Sequence, residues 1–92
     1  MKISHDPEAD AVYVRMRRGY SAESLSPWGD LDDRATDYAE DGTLLGFEWL
    51  GVSQGIDVTD MPVPEEVIAA LRKRGFQVTG TPLPAASAVR SA

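Results

Sequence analysis

The 92 residues of this chain carry a net charge of −6 and no cysteine, which excludes disulfides, thiolate metal sites and thiol nucleophiles. Hydrophobic residues make up 42% and charged residues 26% of the sequence, a composition typical of a single folded domain. The N-terminus lacks the apolar stretch of a signal peptide and no run is long enough to span a bilayer, so we expect a cytoplasmic protein without membrane association.

The predicted elements begin with a β-hairpin. Val12, Val14 and Met16 alternate with polar and aromatic residues, the period-2 pattern of a strand with one buried face. Residues 1–5 predict its partner strand, because the segment that follows them is rich in Asp and Pro and therefore favours a turn. A short third strand is predicted within residues 20–25, followed by a loop at residues 27–30.

The clearest turn signal is Asp41-Gly42, which lies between two predicted strands at residues 34–38 and 44–52. Asp-Gly between alternating runs is among the strongest short-range signals of a tight hairpin.

Apolar residues fall on both faces of the strand at residues 44–52. One face is predicted to share the core with the first hairpin; this core set is Leu45, Phe47, Trp49, Val12, Val14 and Met16. The other face carries Leu44, Leu50 and Val52, which also need a cover. A homodimer is the simplest way to provide one, so these three residues are the predicted self-association surface.

A helix is predicted after residue 63. Pro64 suits the first helical position, the acidic pair Glu65 and Glu66 suits the positive end of the helix dipole, and Gly75 suits the terminating position. A short last strand is predicted at residues 76–78. The fold class is therefore α+β, an antiparallel β-meander of about five strands with one C-terminal helix packed on the sheet. We expect a single domain over residues 1–78 and a disordered tail over residues 79–92.

Two motifs, MKISHDPEADAVYVR at residues 1–15 and DYAEDGTLLGFE at residues 37–48, resemble the YuzE-like family of small bacterial proteins (domain of unknown function 2283). The resemblance covers roughly residues 1–55, in register, and leaves the predicted helix outside. The sequence departs from the family at His5, where Tyr is usual, and at Ala39, where Asp is frequent. The resemblance implies no established activity. It does imply an association with toxin–antitoxin-type gene pairs, in which such proteins look like the small partner.

Two acidic segments raise the alternative of a small metal- or ligand-binding domain. Asp37, Asp41, Gly42 and Glu48 match four positions of an EF-hand calcium loop. Ala39 cannot supply the oxygen needed at the third position, and the flanking segments are strands, so a hairpin turn explains the same residues.

The second acidic segment is the turn of the first hairpin, where four potential metal ligands lie close together in the sequence: His5, Asp6, Glu8 and Asp10. Acidic residues are also expected in any turn, and we assign no metal ligand. We assign no catalytic residue and no cofactor either, because Ser24 and Ser26 lack the context of a nucleophile elbow and the chain has no glycine-rich phosphate loop. We therefore do not expect an enzyme.

The distribution of charge indicates a protein partner. Between Glu23 and Glu66 twelve acidic residues surround a single base, Arg34, a local net charge of −11. This acid repels phosphate, so we do not expect nucleic-acid binding, whereas it attracts a basic protein surface. Solubility alone would also account for it.

Trp28 is the large aromatic residue that fits no predicted strand, and it either caps the core or contacts a partner. The candidate partner-binding residues are Trp28, Asp30, Asp32 and Asp33. The function we expect is a small protein-interaction module, in the more specific form the neutralising partner of a toxin–antitoxin-type pair.

Overall fold

The computed structural model describes residues 1–84. One sheet contains β1 (Lys2–Asp6), β2 (Ala11–Arg15), β3 (Glu23–Leu25), β4 (Arg34–Tyr38) and β5 (Leu44–Leu50), and a small parallel sheet contains β6 (Ile56–Asp57) and β7 (Val78–Thr79). Helix α1 spans Glu65–Lys73, and 3-10 turns lie at Gly29–Leu31 and Val52–Gln54. The predicted α+β class, with an antiparallel five-stranded sheet and one C-terminal helix, is confirmed. None of the helical segments in residues 1–84 has the length and apolar character needed to span a bilayer.

The five strands are ordered β1-β2-β5-β4-β3. The β1–β2 hairpin and the β3–β4–β5 meander are each local in sequence, and the two units join through the pairing of β2 with β5. The connection from β2 to β3 therefore passes the ends of the central strands. Along it, Met16 N–H donates to the Leu45 carbonyl at 2.7 Å and Ala22 N–H donates to the Tyr38 carbonyl at 2.9 Å. The hydrophobic pattern predicts the strands, but this long-range pairing decides their order.

The β4–β5 hairpin turns at the predicted place. Gly42 N–H donates to the Ala39 carbonyl at 2.9 Å, and Gly42 has φ +87°, a left-handed conformation that glycine adopts without strain. The pairing then shifts register, so that Tyr38 pairs with Leu44 while Asp37 pairs with Gly46. Residue 45 is the extra residue of a β-bulge, and it reverses the facing of the residues before it.

The core lies between the sheet and the segment that contains α1, β6 and β7. The predicted residues Val12, Val14, Phe47 and Trp49 are at most 1% exposed, and Met16 packs against them. Leu45 is buried but lies outside this cluster because of the bulge. The covering layer supplies Ile56, Val58, Met61, Val63, Val67, Leu71 and Val78.

The ends of the covering layer differ slightly from the prediction. Pro64, with ψ 154°, precedes α1 rather than opening it. Thr79 pairs with Asp57 in the small sheet, and Leu83 N–H donates to the Met61 carbonyl at 2.8 Å. The ordered part of the chain therefore continues past the boundary predicted at residue 78. The rest of the predicted tail, residues 85–92, lies outside the described residues.

Candidate partner-binding surface

The loop that joins β3 to β4, residues 26–33, presents two large apolar side chains to solvent. Gly29 N–H donates to the Ser26 carbonyl at 3.2 Å, and Asp32 N–H donates to the Gly29 carbonyl at 3.1 Å, closing a 3-10 turn. In this turn, Trp28 is 67% exposed and Leu31 is 98% exposed. We call residues 26–33 the Trp28 loop.

Arg34 lies beneath this loop and is only 5% exposed. Its Nε and Nη2 donate to the two carboxylate oxygens of Asp32 at 2.9 and 3.1 Å, and its Nη1 donates to the Thr59 carbonyl at 2.7 Å. The Trp28 ring covers the guanidinium, with its centroid 4.5 Å from Cζ, the geometry of a cation–π contact. Because one side chain binds the loop, the start of β4 and the Thr59 segment, the loop is held in a defined shape.

Asp32 is committed to this network. Its side chain is 3% exposed, and besides Arg34 it accepts the Trp28 N–H at 3.1 Å. Burial raises the pKa of Asp32, but hydrogen bonds from Arg34 and from the Trp28 N–H outweigh this effect, so the pKa lies below its ordinary value. Asp57 is more exposed, and its Oδ1 lies 3.6 Å from Arg34 Nη1. Burial raises its pKa too, but hydrogen bonds from Thr59 and the charge of Arg34 outweigh this effect, so the pKa of Asp57 also lies below its ordinary value.

The four candidate partner-binding residues therefore divide into two groups. Trp28, Asp30 and Asp33 are exposed together on the Trp28 loop. Asp32, in contrast, faces inward, because a bidentate ion pair with Arg34 holds its carboxylate, so the structure does not place it on the exposed surface with the other three. In the sequence, Arg34 is the single base in the acidic segment and follows two aspartates, a pattern that could have indicated a local ion pair.

A shallow cavity of about 240 Å³ lies beside the Trp28 loop. Its lining includes Trp28, Leu31 and Asp33 from the loop and Leu50 from the end of β5. Leu50 is 47% exposed, so it extends the apolar surface that Trp28 and Leu31 present.

The predicted self-association surface is not formed. Leu44 is 8% and Val52 is 3% exposed, and both belong to the core, while Leu50 alone of the three is exposed. The bulge at residue 45 turns Leu44 inward, and Val52 lies beyond the end of β5 in a 3-10 turn. The apolar second face from which the homodimer was predicted is therefore absent.

The sheet face opposite the core carries a polar contact that the sequence did not indicate. Asp37 accepts the Ser24 hydroxyl at 2.5 Å and the Tyr13 hydroxyl at 3.1 Å. The Tyr13 ring crosses over Gly46, where an added Cβ would lie 2.5 Å from the phenol oxygen. Burial and the Asp37 carboxylate raise the pKa of Tyr13 to about 12. This contact therefore links β2, β3 and β4 through their side chains.

In both acidic turns, aspartate carboxylates accept hydrogen bonds from backbone N–H groups. In the first hairpin, Asp6 Oδ1 accepts the N–H groups of Glu8 and Ala9, and Asp10 accepts the Ser53 N–H at 2.9 Å. In the second, Asp41 Oδ1 accepts the Thr43 N–H at 3.0 Å. Within residues 1–84 no three His, Asp or Glu side chains are grouped so that they could hold a metal ion.

Comparisons of the chain with protein-family models, with curated proteins and with solved structures found no match.

Proposed function

We propose that this chain is a non-enzymatic protein-interaction module that binds a basic surface of a partner protein through the Trp28 loop. The observation that carries the proposal is the exposure of Trp28 and Leu31, 67% and 98%, in an ordered turn. Solitary exposed apolar residues are common, but a tryptophan with apolar neighbours and a polar rim is typical of interface hot spots.

The order of the loop supports the proposal. Arg34 contacts the inner face of the Trp28 ring and binds Asp32 from the same loop. A side chain that is already held in place loses little conformational entropy on binding, and this favours affinity. The outer surface of the ring is free to make contacts.

The charge around Trp28 supports a basic partner. Asp30 and Asp33 are exposed on the loop, and the segment between Glu23 and Glu66 contains a single base, Arg34, whose charge is taken up by Asp32. Negative potential of this kind speeds encounter with a positive surface and disfavours acidic partners.

In its more specific form, the proposal makes the chain the neutralising partner of a toxin–antitoxin-type pair that acts in the cytoplasm. The resemblance of residues 1–55 to the YuzE-like family supports this form. A ribonuclease-like toxin needs a basic surface to hold RNA, and an acidic loop with an aromatic anchor is suited to cover that surface.

The test is binding kinetics by surface plasmon resonance against the protein that co-purifies with the chain. Trp28→Ala should raise the dissociation rate about tenfold or more, because a buried anchor acts mainly on complex lifetime. Asp30→Asn with Asp33→Asn should slow association and flatten its salt dependence, because rim charges act on encounter.

Each variant has a matched control. Tyr20→Ala removes an aromatic side chain that is 95% exposed elsewhere, and Glu40→Gln with Glu65→Gln removes two exposed charges outside the loop. If the loop variants behave as their controls do, the Trp28 loop is not the interface.

A further inference from the structure

Strand β1 has an unpaired edge. It pairs with β2 on one side, and on the other side no backbone hydrogen bond joins it to any residue in the range 1–84. Most of its residues are exposed. The N–H and C=O groups along such an edge can accept another strand.

Cavities follow this edge on the side of the sheet that faces α1. One, of about 520 Å³, lies between β1 and the last turn of the helix; it is lined by Met1, Ile3, Ala70, Lys73 and Arg74. Another, of about 480 Å³, includes His5, Pro7, Phe76 and Gln77 in its lining, together with Asp10, whose carboxylate accepts hydrogen bonds from Ser53. We call residues 1–7 together with residues 70–77 the β1 groove.

The side chains along the groove alternate as a bound strand requires. Met1, Ile3 and His5 stand at every second position, so along β1 and the residue before it they share one face. The His5 ring meets the Phe76 ring edge-to-face, with the centroids 5.0 Å apart. An added strand would direct every second side chain into this partly apolar groove and the others to solvent. Five residues of β1 offer a length of about 17 Å for pairing.

The groove is positively charged at the end where β1 begins and α1 ends. Lys73 and Arg74 line the cavity there, and no carboxylate does. Lys2 pairs in register with Arg15 at the same end of β1, and because side chains alternate along a strand, these two cations lie on the face of the sheet opposite the groove. All four side chains are exposed, and none forms an ion pair with another residue of the described chain. Lys73 and Arg74 are distant in the sequence from Lys2 and Arg15, and the fold places the two pairs at the same end of β1, one pair on each face.

We propose that the β1 groove is a docking site for an extended acidic segment of another protein, which adds to the sheet as a strand beside β1. The unpaired edge supplies main-chain hydrogen bonds, the apolar lining receives alternate side chains, and the cations select carboxylates. A nucleic acid could pair with the cations through its phosphates, but it has no peptide groups that could form main-chain hydrogen bonds with the edge of β1. This site differs from the Trp28 loop in position and in charge, and it does not depend on the function proposed for that loop.

The test uses the full chain and a fluorescein-labelled decapeptide of alternating Val and Glu, with the matched Val and Lys peptide as a probe of charge. Fluorescence anisotropy should show binding of the Glu peptide and none of the Lys peptide. Lys2→Gln with Lys73→Gln, which removes one cation from each face at this end of β1, should weaken binding at least tenfold, whereas Arg17→Gln with Arg18→Gln, an equal charge change outside the groove, should weaken it less than threefold.

Amide hydrogen exchange on the unaltered chain gives a second measurement that needs no variant. Bound Glu peptide should slow exchange within residues 2–6 and leave residues 23–25 of the opposite edge strand unchanged. The proposal is overturned if the peptide does not bind at millimolar concentration, if both double variants weaken binding equally, or if exchange in β1 is unchanged. It is also overturned if a ten-nucleotide single strand of DNA binds more tightly than the peptide, because the site would then select polyanions.

Discussion

The Trp28 loop and the β1 groove both combine apolar surface with charge of one sign, but they are built differently. The loop is one contiguous segment whose exposed ring rests on Arg34, so its composition can be read in the sequence. The groove joins Met1 and Ile3 to Lys73 and Arg74, residues from the two ends of the described chain. A surface made by topology leaves no local signal, and so the sequence predicted the first region and missed the second.

The largest expected effect is the difference in unfolding free energy between variants of the two tryptophans. Trp49 is 1% exposed, and its Nε1 donates to the Asp57 carbonyl at 3.0 Å, so Trp49→Ala should reduce the free energy of unfolding by about 3–5 kcal/mol. Trp28→Ala removes a cation–π contact between a mostly exposed ring and the buried Arg34 guanidinium, worth about 1–2 kcal/mol. Urea denaturation of both variants measures the difference. Equal losses would mean that Trp28 supports the fold rather than a partner.

The two regions also use arginine in opposite ways. Arg34→Met leaves the Asp32 carboxylate buried without its partner, and we expect it to cost about 3 kcal/mol or more in the free energy of unfolding. Arg74→Met removes an exposed cation of the β1 groove and should change stability by less than about 0.5 kcal/mol. Thermal or urea unfolding distinguishes them. A similar cost for both would contradict the contrast between a supporting and a surface arginine.

Acid should weaken the ion pair between Asp32 and Arg34 that holds the Trp28 loop, and the expected loss of stability is smaller than in the two comparisons above. The folded-state pKa of Asp32 is lowered, so its contribution to stability is complete above its unfolded pKa of about 3.9 and is lost as the pH falls through the folded value. Asp32→Asn should therefore flatten the decline in unfolding free energy below about pH 4. Parallel declines in the variant and the parent chain would show that Asp32 is not among the groups responsible.

Local patterns account for what could be predicted of the fold. Asp41-Gly42, the alternation in β2 and the marked ends of α1 are each local, and the structure contains all three elements. The pairing of β2 with β5 and the parallel β6–β7 pair depend on contacts distant in sequence. The bulge at residue 45 breaks the period-2 alternation of β5, so Leu44, which the alternation predicts on the outer face, lies in the core.

The candidate site was predicted in part for the same reason. The exposure of Trp28, Asp30 and Asp33 follows from a polar loop with no strand pattern. The inward orientation of Asp32 depends on Arg34, and the burial of Arg34 depends on Thr59, more than twenty residues later. A pattern of acids alone does not indicate which carboxylate is used within the protein.

The most direct test of the proposed interface is ¹⁹F NMR of the chain labelled with 5-fluorotryptophan, because the unlabelled partner contributes no signal. In the free chain the Trp28 resonance should show a large shift between H₂O and D₂O, whereas that of Trp49, 1% exposed, should not. When the co-purifying protein is bound, the Trp28 resonance should move and lose its solvent-isotope shift while the Trp49 resonance stays in place. A saturated complex in which Trp28 keeps its position and its solvent-isotope shift would contradict the proposal that the Trp28 loop is the contact surface.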